Sequence, residues 1–231
     1  MISPNTSHDF LEGQRRELLD LPHIEVAGIT RGPESVECFY DDAIAAPHIL
    51  ELAKNAERDG FDAVVISCFF DPGLRAAREL LSIPVTSAGE SSLHLACSLG
   101  NRIGIVTTVA NSIPVIHHLV RTLGLERQIA TIRAASIGVL ELDKSENTIE
   151  ALLKETTRAI VEDKSDVIVL GCTGMTEVAT ALQQKVLAVG YEVPIVDPLR
   201  AAIQWAEMLV KLKLRHSGVA YPKPPVKIRI D

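Results

Sequence analysis

Two cysteines stand where a strand ends. Cys68 follows the apolar run Val64-Val65-Ile66 through Ser67, and Cys172 follows Val167-Ile168-Val169-Leu170 through Gly171. Asp62 lies six residues before the first and Asp166 six before the second. A thiol has a reference pKa of about 8.5, and a helix N-terminus beside it favours the thiolate. Two such groups on opposite faces of one carbon suit stereochemical inversion. One thiolate removes the proton, and the opposite thiol returns one to the other face. With each sulfur at reacting distance from the carbon, the two should lie roughly 7 Å apart, too far for a disulfide. The carbanion between them needs an adjacent carbonyl and hydrogen-bond donors. Backbone N–H groups after each cysteine and the hydroxyls of Thr107, Thr108 and Thr173 are the candidates. Such chemistry needs no cofactor.

What positions these residues is a duplicated strand–helix unit. Ala96 follows Pro84 by twelve residues, and Ala206 follows Pro194 by the same twelve. Asn5-Thr6 precedes Cys68 by about as much as Thr107-Thr108 precedes Cys172. The first copy opens on a very short strand within 1–7, then reads as helix 8–20, strand 24–29, helix 41–58, strand 63–67, helix 72–81, strand 84–86 and helix 90–99. Asp71 is the expected N-cap of the helix at 72, with Pro72 in its first position. The second copy gives strand 103–107, helix 112–123, strand 129–137, helix 146–163, strand 167–171, helix 174–188, strand 194–196 and helix 199–213.

Strands that are apolar throughout, alternating with helices, imply parallel sheets covered on both faces. The fold class is therefore α/β, as two similar doubly wound parallel-sheet domains related by a pseudo-two-fold axis, with the site in the cleft between them. Residues 1–99 with 195–231 form the first domain and 100–194 the second, the last helix crossing back. In open α/β sheets a ligand binds beyond the carboxyl ends of the strands. Asn5-Thr6, Ser67-Cys68-Phe69, Thr107-Thr108 and Gly171-Cys172-Thr173 all fall there. The tail at 217–231, where Val226, Ile228 and Ile230 alternate with charges, reads as a surface strap or a subunit contact.

The chain has 231 residues, 47 % of them hydrophobic, enough to bury a substantial core. A net charge of −7 and the lack of a basic stripe argue against nucleic acid as a partner. Four cysteines without a secretory leader fit a reducing cytoplasm better than a disulfide framework. No CxxC or HExxH spacing points to a metal, and apolar runs of strand length point away from a membrane. Cys38 and Cys97 lack a counterpart in the other copy and read as inert core. His94 reads as a core histidine, and His117-His118 as solvated or capping. Asp197, like Asp71, precedes a proline and reads as a helix cap. Trp205 and Tyr191 read as packing, while Tyr40 and Glu90 are open to a place in the cleft.

The pieces SPNTS at 3–7, GPESVECFYDDAIAAP at 32–47, SCFFDPGLRAARE at 67–79, GIVTT at 104–108 and LGCTGM at 170–175 resemble the aspartate/glutamate/hydantoin racemase superfamily, most closely its hydantoin and allantoin racemase branch. The resemblance implies two facing α/β domains, a cofactor-independent two-cysteine mechanism and a homo-oligomer. It makes Cys68 and Cys172 the acid/base pair. Asn5, Phe69, Thr107, Thr108, Gly171, Thr173 and Pro198 would line the pocket, with Ser67 beside Cys68. Phe70 stands where that branch usually has a small residue. The expected substrate is a 5-substituted hydantoin or related cyclic ureide. An amino-acid racemase or small-diacid isomerase of the superfamily is the alternative, and a bilobal binding protein is the alternative outside enzymes.

Overall fold

Each half of the chain folds into a four-stranded parallel sheet. A computed structural model describes residues 1–142 and 145–227. The first half comprises β1 (Ile2–Ser3), α1 (His8–Glu17), β2 (Ala27–Gly28), α2 (Phe39–Arg58), β3 (Val64–Ile66), α3 (Leu74–Leu80), β4 (Val85–Ser87) and α4 (Ala88–Leu99). The second comprises β5 (Ile103–Thr107), α5 (Ser112–Leu123), β6 (Ile129–Ala134), α6 (Glu146–Val161), β7 (Val167–Leu170), α7 (Thr176–Ala188), β8 (Ile195–Val196) and α8 (Pro198–Lys211). The strand orders are β2-β1-β3-β4 and β6-β5-β7-β8, one topology used twice. Ile66 pairs with Ile2 and Ser87 in the first sheet, and Val169 pairs with Ile105 and Val196 in the second. The cysteine-bearing strands β3 and β7 are thus central, and both are buried along their whole length. That two-sided burial is why their sequences are unbroken β-branched and leucine runs.

The helices cover the sheets with one apolar face each. Along α5, Val115, Ile116, Leu119 and Val120 are buried, each contributing on the order of 1.5–3 kcal/mol. The last helix of each half is exchanged. α8 packs on β3 and β4 of the first sheet, α4 reaches β7 and β8 of the second, and the two helices pack on each other. Trp205 on α8 lies 6.2 Å from the ring of His94 on α4. One apolar cluster runs from Ile2, Ile66 and Val85 to Ile105, Val169 and Val196, so the two sheets share a core.

Several expectations are corrected. β8 pairs with β7, so the chain returns to the first unit after Val196 and not before Ile195. β2 is only Ala27–Gly28, and α1 stops at Glu17, three residues short of its expected end. α3 begins at Leu74 with Gly73 as its N-cap, because Asp71 has a φ of 58° that cannot start a right-handed helix. His94 is exposed and its Nδ1 meets the Glu90 carbonyl at 2.8 Å. Cys38 and Cys97 are half-buried.

The described part of the tail is fastened to the first unit. The Val85 N–H donates to His216 Nε2 at 2.9 Å, Arg78 donates to the Tyr221 hydroxyl at 3.2 Å, and Lys223 donates to the Leu80 carbonyl at 2.7 Å. Ile228 and Ile230 lie outside the described residues. Among the described residues no helix is long and apolar enough to cross a membrane.

Candidate active site

The two cysteine turns are built alike. Past β3 the chain turns at Phe69-Phe70, and the Phe70 N–H donates to Cys68 Sγ. Past β7 a short 3-10 turn, Thr173–Met175, begins at once, and the Gly174 N–H donates to Cys172 Sγ at 3.4 Å. In each copy the donor is two residues after the cysteine. Both sulfurs face one cavity of about 30 Å³, whose wall also includes Pro4, Asn5, Phe10, Val36, Ser67, Phe69, Phe70, Thr108, Ser112, Val139, Gly171 and Thr173. Thiols from the ends of two different sheets therefore meet over one small space.

One cross-unit contact holds the turns together, and a hydrogen bond within each unit supports it. The Thr173 hydroxyl donates to the Ser67 carbonyl at 3.2 Å. Gln14, buried on α1, donates to Ser67 Oγ at 2.6 Å. The Thr107 hydroxyl donates to the Gly171 carbonyl at 3.4 Å. Gly171 is needed there, since a Cβ would stand 2.8 Å from Thr107 Cβ. Asn5 is buried, and its side-chain oxygen has no hydrogen-bond partner among the described residues. An acceptor in that state is a costly feature unless a donor reaches it.

Not every expected residue reaches the cavity. Thr107 is fully buried behind its wall, and Pro198 occupies the first turn of α8 away from it. The hydroxyls of Thr107 and Thr173 are already committed to carbonyls, leaving Thr108 on the wall. Glu90 forms a two-pronged ion pair with Arg78 at 2.8 and 3.0 Å, and Tyr40 is exposed. Asp197 caps α8 as expected, accepting from the N–H groups of Leu199 and Arg200 at 2.9 and 3.2 Å.

The electrostatics reverse one expectation. Burial pushes the Cys172 thiol up to about 11, against the Gly174 N–H, which lowers it. Burial pushes Cys68 well above the ordinary range too, and the charges of Asp42, Cys172 and Asp71 push the same way. Helix N-termini do not overcome this desolvation, because α3 begins six residues after Cys68 and the cavity at the sulfurs is small and closely lined. Mutual repulsion between the sulfurs opposes ionising both together. One thiolate facing one thiol is thus the favoured ionised form of the pair, and it is the form that inversion requires.

The sequence matches the Asp/Glu/Hydantoin racemase family over residues 1–206. The chain belongs to that family. It is 37 % identical over 197 residues to the hydantoin racemase of Pseudomonas sp. (strain NS671), covering 85 % of this chain and 77 % of that one. It is 37 % identical to the hydantoin racemase of Rhizobium meliloti, covering 87 % and 83 %. The solved allantoin racemase from Klebsiella pneumoniae superposes with a TM-score of 0.90 at 34 % identity, covering 100 % of this chain and 94 % of that one.

Beyond the expected residues, the family fold here brings Phe10, Val36, Ser112 and Val139 to the thiols. Val36 sits within the GPESVECFYDDAIAAP stretch, so its neighbourhood was marked in sequence. Phe10 and Val139 carried no such mark. They also line a neighbouring vestibule of about 330 Å³, together with Glu34, Gly174 and Glu177. Phe10 and Val139 therefore stand between the vestibule and the thiols. Among the described residues no group of three or more His, Cys, Asp or Glu side chains could hold a metal ion.

Proposed function

We propose that the protein is a cofactor-independent racemase that inverts the stereocentre of a 5-substituted hydantoin or a related cyclic ureide, with Cys68 and Cys172 as its two bases. One observation carries this reading: a buried Cys68 and a half-buried Cys172 at the ends of central strands in two sheets, each thiol receiving the N–H two residues on, over one cavity. In the ionised pair one sulfur takes the proton from the ring carbon. The negative charge passes to the adjacent ring carbonyl, and the opposite sulfur delivers its proton to the other face. The sulfurs end with exchanged protonation states, so the product enantiomer is bound by the mirror form of the same site.

The wall chemistry favours a neutral ring. Among the described residues no Arg or Lys lines the thiol cavity. A free amino acid at the thiols would surrender the hydration of a carboxylate and an ammonium with no countercharge in that cavity, the nearby charges of Arg16, Asp9, Glu17, Glu34 and Glu177 lying along the vestibule. A cyclic ureide brings N–H donors, which suit the unpartnered oxygen of Asn5. Its carbonyls also acidify the ring carbon, so thiols with raised pKa values suffice. The cavity of about 30 Å³ holds little more than a water molecule. The vestibule is the size of a small-ligand site, and movement of Phe10 and Val139 would join the two. Four free cysteines fit a reducing cytoplasm, and a homo-oligomer is the expected assembly, testable by light scattering.

Optical rotation of enantiopure hydantoins and of L-aspartate, followed with purified protein, tests the substrate. The expected result is a higher kcat/KM for hydantoins with apolar 5-substituents. Efficient racemisation of aspartate with hydantoins inert would overturn it.

A further inference from the structure

The turns after the two cysteines agree for three residues and then part. The Asp71 N–H donates to the Cys68 carbonyl at 3.3 Å, as the Met175 N–H donates to the Cys172 carbonyl at 3.2 Å. Met175 keeps right-handed backbone and α7 begins at the next residue. Asp71 adopts the left-handed region instead, which a residue other than glycine rarely does. This throws its carboxylate onto the N-terminus of α4, where Oδ1 accepts from Gly89 N–H and Oδ2 from Glu90 N–H, both at 2.8 Å.

The second unit builds the same joint with its parts exchanged. Ser87 and Asp197 are equivalent positions, each three residues after the proline of its repeat and each the N-cap of the last helix. Asp197 receives the N–H groups two and three residues on, as Asp71 receives those two and three residues after Ser87. A carboxylate occupies one spot on both helices, supplied by the helix in one unit and by the cysteine turn in the other. A hydroxyl ties turn to helix in both. Thr176, four residues after Cys172, donates to Asp197 at 2.9 Å, and Ser87 hydrogen-bonds to Asp71. Ser87 Oγ also stands 3.3 Å from the Cys68 carbonyl. Gly89 permits the close approach, since a Cβ there would stand 2.1 Å from the Phe69 carbonyl oxygen.

We propose that Asp71 and Asp197 are equivalent positioning residues, each clamping the turn that carries one catalytic thiol to the N-terminus of the following helix and so fixing where that sulfur lies. This rests on the two-thiol reading above. The test separates the two, because thiol alkylation needs no substrate. In Asp71→Ser the freed turn lets water reach Cys68, so its alkylation by iodoacetamide, read by mass spectrometry, rises about fivefold or more while Cys172 stays within about twofold. Asp197→Ser gives the reverse pattern. The kcat for racemisation falls about 10–100-fold in each with KM little changed, as expected for misplaced reacting groups. The exchange variant Asp71→Ser/Ser87→Asp rebuilds the second unit's joint in the first, and should return both kcat and Cys68 alkylation to within about threefold of the parent. Asp71→Asn, which keeps one acceptor oxygen, carries the comparison if Asp71→Ser fails to fold. Equal changes at both cysteines, or an exchange variant no better folded and no more active than Asp71→Ser, would overturn the proposal.

Discussion

Gly89 offers a test in which two physical rules give opposite signs. It is the second residue of α4, and by helix propensity a Gly→Ala change should stabilise by up to about 1 kcal/mol. The packing says otherwise. An added Cβ would stand 2.1 Å from the Phe69 carbonyl oxygen, 2.6 Å from Leu119 Cδ2 and 3.0 Å from Asp71 Oδ1. Leu119 can rotate away, but the Phe69 oxygen is backbone in the turn that carries Cys68. Restoring an ordinary contact moves that turn by about 1 Å, a displacement that can cost about 100-fold at a reacting centre. The strain itself should cost about 1–3 kcal/mol and outweigh the propensity gain. The net loss, up to about 2 kcal/mol when the full propensity gain is subtracted, lowers the melting temperature by about 2–4 °C per kcal/mol in a chain of this size. Gly89→Ala is therefore expected to melt lower and to lose most of its kcat. A variant that melts higher with kcat intact would refute the claim that the Phe69–Asp71 turn must sit against α4.

Cys68→Ala and Cys172→Ala should each abolish racemisation while retaining exchange of the ring proton with D2O for one enantiomer only; substantial racemisation in either would exclude a two-base mechanism. Burial raises Asp71 from 3.8 to about 7, so the folded state holds a proton that the unfolded state has released. Its contribution is fully present below pH 4 and is lost as pH rises through about 7. Between pH 4.5 and 7.5 the melting temperature should fall less in Asp71→Asn than in the parent, and an equal or steeper fall would contradict the buried, raised carboxyl. Activity should survive exhaustive dialysis against a chelator; loss that zinc or another divalent ion restores would overturn the cofactor-independent reading.

The sheets were legible because each strand carries its own signal. Val64-Val65-Ile66 and Val167-Ile168-Val169-Leu170 are apolar on both faces, and the matched spacing to Cys68 and Cys172 marks one unit used twice. The helix at 112–123 was read to the residue, with Gly124 ending it in left-handed backbone. Legibility failed where partners distant in the chain decide the outcome. Asp71-Pro72 has the local form of a helix start, but three groups from elsewhere change its role, the Gly89 and Glu90 N–H groups and the Ser87 hydroxyl, together with the space that Gly89 leaves open. The thiol pKa values escape the sequence for the same reason. A helix N-terminus is visible in sequence, whereas the desolvation that outweighs it comes with burial at a cavity that Phe10, Val36, Phe70 and Val139 also line. The duplication itself hides the joint, because its carboxyl comes from a different segment in each copy: it sits at residue 71 in one unit and at 197 in the other, three residues after a cysteine and three after a proline. Aligning the copies position by position sets Asp71 against Met175 and Ser87 against Asp197, two apparent mismatches. In space each Asp lies on the two corresponding N–H groups of the last helix of its repeat, so the repeat preserves a carboxyl group at a place and not a residue at a position.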